Sequence, residues 1–139
     1  MDEKVTDSVF GEMTYKHSWS RMQMVDWWGT CNVKITAHAY TGQEIIEKQR
    51  NAYLDYQKNI KRLLVDATSR LIEYINSSYN LNSPISQNEL LVVLHPKTVL
   101  FHRDGSWGVL FDSDWDTENG IGIFKENGVV KVGTQDEFL

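Results

Sequence analysis

The stretch that decides the fold is residues 41–80, which read TGQEIIEKQRNAYLDYQKNIKRLLVDATSRLIEYINSSYN. After Gly42 it contains neither proline nor a further glycine. Apolar side chains recur in it every three or four residues: Ile45, Tyr53, Tyr56, Ile60, Leu63, Ala67, Leu71 and Tyr74. This spacing places them on one side of an α-helix, as a stripe wide enough to cover a sheet. We therefore expect a long amphipathic helix over residues 43–78.

Both ends and the middle of this helix carry local signals. Thr41 is a candidate N-cap, and Glu44 stands where a capping box requires an acidic side chain. One unbroken helix of this length would exceed the width of a compact domain of this size. The weakest helix formers lie together at residues 66–69. The helix is therefore expected either to overhang the domain or to kink there.

Strand signals lie on both sides of the helix. Before it, residues 9–16 and the alternating stretch 31–40 predict two strands that pair antiparallel. After it, strands are predicted at 99–102, 107–111, 121–124 and 129–132. Asp104-Gly105 and Asn127-Gly128 are hairpin turn signals between members of this second set.

A second, short helix is predicted from Ser86 to Leu94, because Ser86 and Glu89 form a capping box and Pro96 ends the pattern. The predicted order is therefore ββ-α-α-ββββ. This order is typical of an α+β fold, in which an antiparallel sheet carries its helices on one face. Residues 1–139 are expected to form a single α+β domain, with one long central helix and a short second one.

The charge distribution bears on the class of partner. The formal net charge is −5, and residues 81–139 hold nine acidic and four basic side chains, whereas residues 1–80 are balanced. A basic face is what non-specific nucleic-acid binding requires, so no nucleic-acid partner is expected. An acidic surface attracts a basic partner.

The sequence contains few features that indicate a cellular compartment. No apolar run is long enough to span a membrane, and the N-terminus is acidic and without an apolar segment typical of a signal peptide. Cys31 is the only cysteine, so no internal disulfide can form. The sequence therefore predicts a cytoplasmic protein with no membrane partner.

The sharpest polar cluster is the acidic segment, residues 112–118, which reads Asp112, Ser113, Asp114, Trp115, Asp116, Thr117 and Glu118. Alternate carboxylates can converge on a hard cation. An EF-hand loop starting at Asp112 would need glycine at Thr117 and glutamate at Ile123, so this match fails. Three interpretations remain: a solvated loop, a loop that faces a partner, and a cation site of another kind. No metal site is predicted.

Catalytic patterns are absent from the sequence. The four histidines are scattered, and no two have the spacing of a helical metal pair. Cys31 has no neighbouring base that would activate it. Nucleophile-elbow, phosphate-loop and dinucleotide-binding patterns do not occur. We therefore expect no catalytic residues and no cofactor.

Several short motifs occur in an order that resembles a known family. They are residues 10–15 (FGEMTY), 28–29 (WG), 49–53 (QRNAY), 118–123 (ENGIGI) and 132–137 (VGTQDE). In this order they resemble a family of uncharacterised bacterial domains of about this length. Where the family pattern has histidine in Glu-His-Gly, this chain has Asn119, which argues against a metal or catalytic site there. The resemblance implies an association with toxin genes and a role in immunity.

The function predicted from these observations is a non-enzymatic protein-binding module. Its binding residues are predicted to be Asp112, Asp114, Trp115, Asp116 and Glu118, because carboxylates steer a basic partner and an exposed tryptophan anchors it. In its sharpest form the module is an immunity protein that neutralises a bacterial toxin. The alternative is a small enzyme, or a domain that binds a cation or polar ligand, built on the same acidic segment. The sequence leaves the oligomeric state open.

Overall fold

The computed structural model describes residues 3–27, 30–78, 94–113, 120–135 and 138. They form eight strands and one helix. In chain order these are β1 (Glu3–Asp7), β2 (Gly11–Tyr15), β3 (Trp19–Asp26), β4 (Thr30–Ala37), α1 (Glu47–Ser78), β5 (Leu94–Phe101), β6 (Trp107–Ser113), β7 (Ile121–Glu126) and β8 (Val129–Gly133).

All eight strands belong to one sheet, and their order in the sheet is their order in the chain. Neighbouring strands are antiparallel except β4 and β5, which are parallel, with Lys34 opposite Thr98 and Ala37 opposite Phe101. A parallel pair needs a crossover connection, and α1 lies within it. The sheet is therefore two four-stranded meanders joined through the helix.

The helix begins later than the sequence indicates and does not break. The amide of Ile46 donates to Oε1 of Gln49 at 3.1 Å, which is the return half of a capping box, so the predicted cap at Thr41 is wrong. α1 continues through residues 66–69 without interruption. Its 32 residues span about 48 Å.

The inner face of the sheet, defined as the face that packs against α1, carries the main core. The predicted apolar face of the helix is confirmed, since Tyr53, Tyr56, Ile60, Leu63, Ala67 and Leu71 are all buried. They pack against inward side chains of the strands, among them Met13, Val33, Ile35, Phe101, Val109, Phe111 and Ile123. The side of α1 that contacts the sheet was thus predictable from periodicity alone.

A second, smaller cluster lies on the outer face, which is the side of the sheet away from α1. Its members are Leu100, Leu110, Phe124 and Phe138. The ring of Phe138 stacks on that of Phe124, with centroids 4.6 Å apart. Gly108 lies beneath them, and a Cβ there would come within 3.0 Å of both rings. Phe138 thus covers the outer face over β5, β6 and β7.

The predicted order ββ-α-α-ββββ and the all-antiparallel sheet are wrong. Four strands precede the helix, and the β4–β5 pair makes the sheet mixed and the described fold mostly β. The described residues contain one helix. The predicted second helix lies outside the described residues except for its last residue, Leu94, which begins β5 instead.

β3 was not predicted because, in the middle of the strand, polar residues point inward and apolar residues point outward. Arg21 and Gln23 point inward, where Arg21 donates to the carbonyl of Phe10 at 2.7 Å and Gln23 accepts from the hydroxyl of Tyr56 at 3.3 Å. The outward positions between them hold Met22 and Met24, which are exposed. Because polar side chains face the core and apolar ones face solvent, the stretch reads as an irregular connector.

Candidate protein-binding surface

The described residues that flank the acidic segment belong to the buried part of the sheet. Phe111 of β6 pairs with Ile121 of β7, and neither has exposed surface. Nε2 of Gln135 donates to the carbonyl oxygen of Phe111 at 3.0 Å, which secures the same point from the C-terminal side. Gly120 has a φ of +65°, and a Cβ there would lie 2.1 Å from Gln135. The described residues on either side of the segment, Phe111 and Gly120, are therefore held in place by the sheet and by Gln135.

Among the predicted site residues, the structure describes Asp112. It lies near the end of β6, opposite His95, and it is exposed. Its carboxylate is 3.7 Å from Nζ of Lys97, and both side chains are more than half exposed. Such exposed pairs contribute little to stability. Asp114, Trp115, Asp116 and Glu118 lie outside the described residues, so their role stays a prediction.

The most exposed apolar side chains of the outer face lie on β3. Met22 is 60% exposed and Met24 is 67% exposed, although β3 is flanked by β2 and β4 and lies inside the sheet. Their same-face neighbours on β4 are Lys34 opposite Met22 and Asn32 opposite Met24, both exposed. Methionine is frequent on protein-binding surfaces because its side chain is flexible and polarisable.

Asp112, the first residue of the acidic segment, and Met24 lie towards the same end of the outer face. β4 and β5 are parallel, so their first residues, Thr30 and Leu94, lie at one end of the sheet. β3 and β6 run antiparallel to them and therefore end there, with Asp26 opposite Thr30 and Ser113 opposite Leu94. Asp26 and the start of the acidic segment thus share this end of the sheet.

By contrast, Asp7 holds the fold together. Its carboxylate accepts from the amides of Val9 and Phe10 at 2.9 and 3.0 Å and from Nε of Arg50 at 2.8 Å. Burial opposes the charge of Asp7, but these hydrogen bonds and Arg50 outweigh burial and lower its pKa below the ordinary value. This carboxylate joins the β1–β2 turn to α1.

Asp55 has a similar role in the N-terminal third of α1. It accepts from Nε1 of Trp107 at 2.9 Å, from Nζ of Lys125 at 2.9 Å and from Nδ2 of Asn59 at 2.6 Å. Burial alone would raise the pKa of Asp55, but Lys125, Trp107 and Asn59 lower it. Asp55 lines a cleft of about 280 Å³, yet these three donors already occupy three of the roughly four lone-pair positions of its carboxylate.

The turn between β5 and β6 contains the remaining polar cluster. Asp104 accepts from the amide and the hydroxyl of Ser106 at 2.9 and 2.6 Å, and these bonds lower its pKa. Nε2 of His102 lies 2.7 Å from the carbonyl oxygen of Phe138. His102 is therefore placed as a donor that holds Phe138 on the outer face.

Cys31 lies at the start of β4 and is only partly buried, packing against the edge of the main core. Burial raises the pKa of its thiol, and the nearby charge of Asp26 acts in the same direction. A raised pKa lowers the fraction of reactive thiolate at neutral pH. This environment does not activate a nucleophile.

Within residues 3–27, 30–78, 94–113 and 120–135, no three His, Cys, Asp or Glu side chains converge in a way that could hold a metal ion. The three carboxylates of the acidic segment beyond Asp112 fall outside these ranges. None of the helical residues that the structure describes forms a segment both long and apolar enough to cross a lipid bilayer.

Sequence reasoning missed the exposed methionines of the outer face. The signal that could have revealed them is the period-2 pattern of residues 19–26, in which Trp19 and Val25 stand at the two ends of the inward set. Once that register is assumed, Met22 and Met24 must point outward. Arg21 and Gln23 are polar although they point inward, so the alternating pattern was not recognised as a strand.

The fold defines a class of small domain: an eight-stranded mixed sheet in chain order, crossed on one face by a single helix among the described residues. The chain belongs to a family described as a domain of unknown function, DUF6985, whose model matches residues 9–139. No curated protein and no solved structure matches the chain significantly.

The motifs noted in the sequence have structural roles wherever the structure describes them. Gln49 is completely buried and donates from Nε2 to the carbonyl oxygens of His38 and Phe101 at 2.7 and 3.1 Å. It thereby joins the start of α1 to the ends of β4 and β5. Tyr53 stacks against Phe10, with centroids 4.5 Å apart. These motifs stabilise the fold and do not by themselves define a catalytic site.

Proposed function

We propose that this domain is a non-enzymatic protein-binding module that binds a basic protein partner through the acidic segment, residues 112–118. The observation that supports the proposal most is the anchoring of the segment by the buried Phe111–Ile121 pair. A binding segment whose ends are held by rigid strands loses less conformational entropy on association than one on a free tail.

The chemistry of the segment suits a basic partner. Asp112, Asp114, Asp116 and Glu118 place four carboxylates within seven residues. Clustered charges of one sign attract the opposite sign over a distance and raise the association rate. Trp115 stands among them, and tryptophan is enriched among residues that dominate binding energy. The carboxylates thus steer the partner and Trp115 holds it.

Three aspartates elsewhere in the fold support this assignment by contrast. Asp7, Asp55 and Asp104 each accept two or three short hydrogen bonds from their own domain. The ionic partner of Asp112 is an exposed lysine at 3.7 Å, a contact that solvent screens. The charge of Asp112 therefore remains available to another molecule.

In its sharpest form, the partner is a bacterial toxin, and the domain is an immunity protein that neutralises it in the cytoplasm. This form rests on the resemblance described above. It expects the partner to be encoded beside this gene and to be basic on the surface that the acidic segment binds.

The test is capture of partners from a lysate of the source cells, followed by binding kinetics with the purified partner. The variant Asp112→Asn/Asp114→Asn/Asp116→Asn/Glu118→Gln should slow association at least about tenfold at low salt, and the difference should shrink at high salt. Trp115→Ala should instead speed dissociation and cost more than about 2 kcal/mol.

The matched control removes the same amount of charge elsewhere. Glu3, Glu12, Glu44 and Glu73 are all exposed, and their replacement by glutamine should leave the association rate within about twofold. Equal losses in the two quadruple variants would contradict the proposal, because the effect would then depend on net charge alone. A rise in melting temperature with calcium, magnesium or manganese that the first variant abolishes would favour the cation-site alternative.

A further inference from the structure

The outer face of the sheet is covered in one half and open in the other. Over β5 to β7, Leu100, Leu110 and Phe124 are buried beneath Phe138. Over β3, Met22 and Met24 have most of their surface in water. Two large apolar side chains at alternate positions of an interior strand make a patch that another surface can bury.

The charges around this patch are balanced. Asp26 lies on β3, two residues beyond Met24, and Lys34 lies on β4 opposite Met22. Both are exposed, and neither forms an ion pair with another of the described residues. Lys4 and Glu12 add one charge of each sign on the same face of β1 and β2.

This balance fits a second copy of the chain better than a basic partner. A basic protein would be repelled by Lys34 as much as it would be attracted by Asp26. A two-fold axis that crosses the strands at Met24 places Met24 against its own copy and reverses the strand direction. Asp26 of one copy then faces Met22 of the other copy. Lys34 of that other copy lies next to its Met22, on the neighbouring strand β4. Each Lys34 therefore meets the other copy's Asp26.

We propose that the outer face of β3 and β4 is the interface of a two-fold symmetric dimer of this chain, with Met22 and Met24 at its centre and Lys34–Asp26 pairs across it. Two sheets pack face to face about 10 Å apart, with their strands roughly 30° from parallel. This proposal goes beyond the binding of a basic partner, because it uses a charge-balanced patch and no residue of the acidic segment.

The size of the patch sets the expected strength. The strands β1 to β4 have five, five, eight and eight residues. At about 3.3 Å per residue and about 4.8 Å between strands, they cover roughly 400 Å² in projection. Standard stable interfaces bury about 800 Å² on each partner. The dimer is therefore expected to form in the micromolar range and to be monomeric when dilute.

The experiment is sedimentation equilibrium of the whole chain, without any partner, from about 1 µM to about 1 mM. The wild-type chain should pass from monomer to dimer over this range. Met24→Glu should raise the dissociation constant at least about tenfold, because it buries two carboxylates at the axis. Val65→Glu on α1 is the matched control, since Val65 is 74% exposed on the other side of the domain, and it should leave the dissociation constant unchanged.

Charge reversal tests the geometry itself. Lys34→Asp and Asp26→Lys should each weaken the dimer about tenfold, and the double variant should restore it to within about threefold. All of these positions are exposed, and a circular dichroism melt checks that each variant is folded. The quadruple variant of the acidic segment should dimerise normally, which separates this test from that of partner binding.

A chain that stays monomeric over the whole concentration range would overturn the proposal. So would a dimer that Met24→Glu leaves intact, or a double charge reversal that fails to restore association.

Discussion

On the inner face of the sheet, Met13, Val33 and Phe111 lie beneath α1 without exposed surface, whereas on the outer face Met22 and Met24 are more than half exposed. The same backbone carries both sets of side chains, so the difference arises from what covers each face. α1 runs across the inner face, and Phe138 covers only part of the outer one. The inner face therefore determines stability, and the open part of the outer face is available for contacts.

Polar groups follow the same division. Inward polar side chains such as Gln49 and Arg21 make several hydrogen bonds within the fold. Outward ones such as Lys34 and Asp112 are exposed, and the contact of Asp112 is a solvent-screened pair. A buried polar group without a partner is costly, so the inner face tolerates only groups that are bonded. The outer face has no such restriction.

The largest expected effect comes from the inner face. Leu71→Ala, at a position without exposed surface, should lower the free energy of unfolding by about 2–5 kcal/mol, because it leaves a cavity between α1 and the sheet. Val65→Ala, on the exposed side of the same helix, should change it by less than about 0.5 kcal/mol. Urea unfolding measures both, and equal effects would break the distinction between the two sides of α1.

A smaller effect is expected where the outer face is covered. Phe138→Ala should cost about 2 kcal/mol, below the usual range for a buried phenylalanine, because the small outer cluster of Leu100, Leu110 and Phe124 can partly collapse into the space of the lost ring. Phe138→Leu should recover part of this loss by refilling the space above Gly108. No change in urea unfolding for Phe138→Ala would mean that the outer cluster does not stabilise the sheet.

The next effect depends on pH. The folded state lowers the pKa of Asp7, so its stabilisation is complete above the unfolded pKa of about 4 and is lost as the pH falls through the lower folded value. Asp7→Asn should cost about 1 kcal/mol at neutral pH, since the charge that Arg50 contacts is gone. The cost should disappear at pH values below the folded pKa. A pH-independent cost would show that lost packing, and not charge, is responsible.

The sequence carried enough information for the helix and for the C-terminal hairpin. The apolar period of residues 43–78 predicted which side of α1 is buried. Asn127-Gly128 predicted a turn, and both residues have positive φ in the structure. These signals are local, so no tertiary contact can hide them. The acidic segment was found for the same reason, and Asp112 is exposed where the structure describes it.

β3 was missed because its pattern depends on contacts between distant residues. It places Arg21 inward because Tyr53 of α1 and the carbonyl of Phe10 accept its hydrogen bonds. These partners are not visible from local sequence, so the sheet was predicted with too few strands. β5 was predicted only from residue 99, because Pro96 marks the end of a helix in sequence patterns, yet here it lies at an irregularity in the β5–β6 pairing.

The division between the two faces can be tested most directly by the rates at which hydrogen peroxide oxidises individual methionines, followed by mass spectrometry. Oxidation requires access to the sulfur, so Met13 should react only when the domain opens. In dilute protein, Met22 and Met24 should oxidise at least about tenfold faster than Met13, and raising the protein concentration should slow these two methionines. Equal rates at Met13 and Met24 in dilute, folded protein would contradict the account.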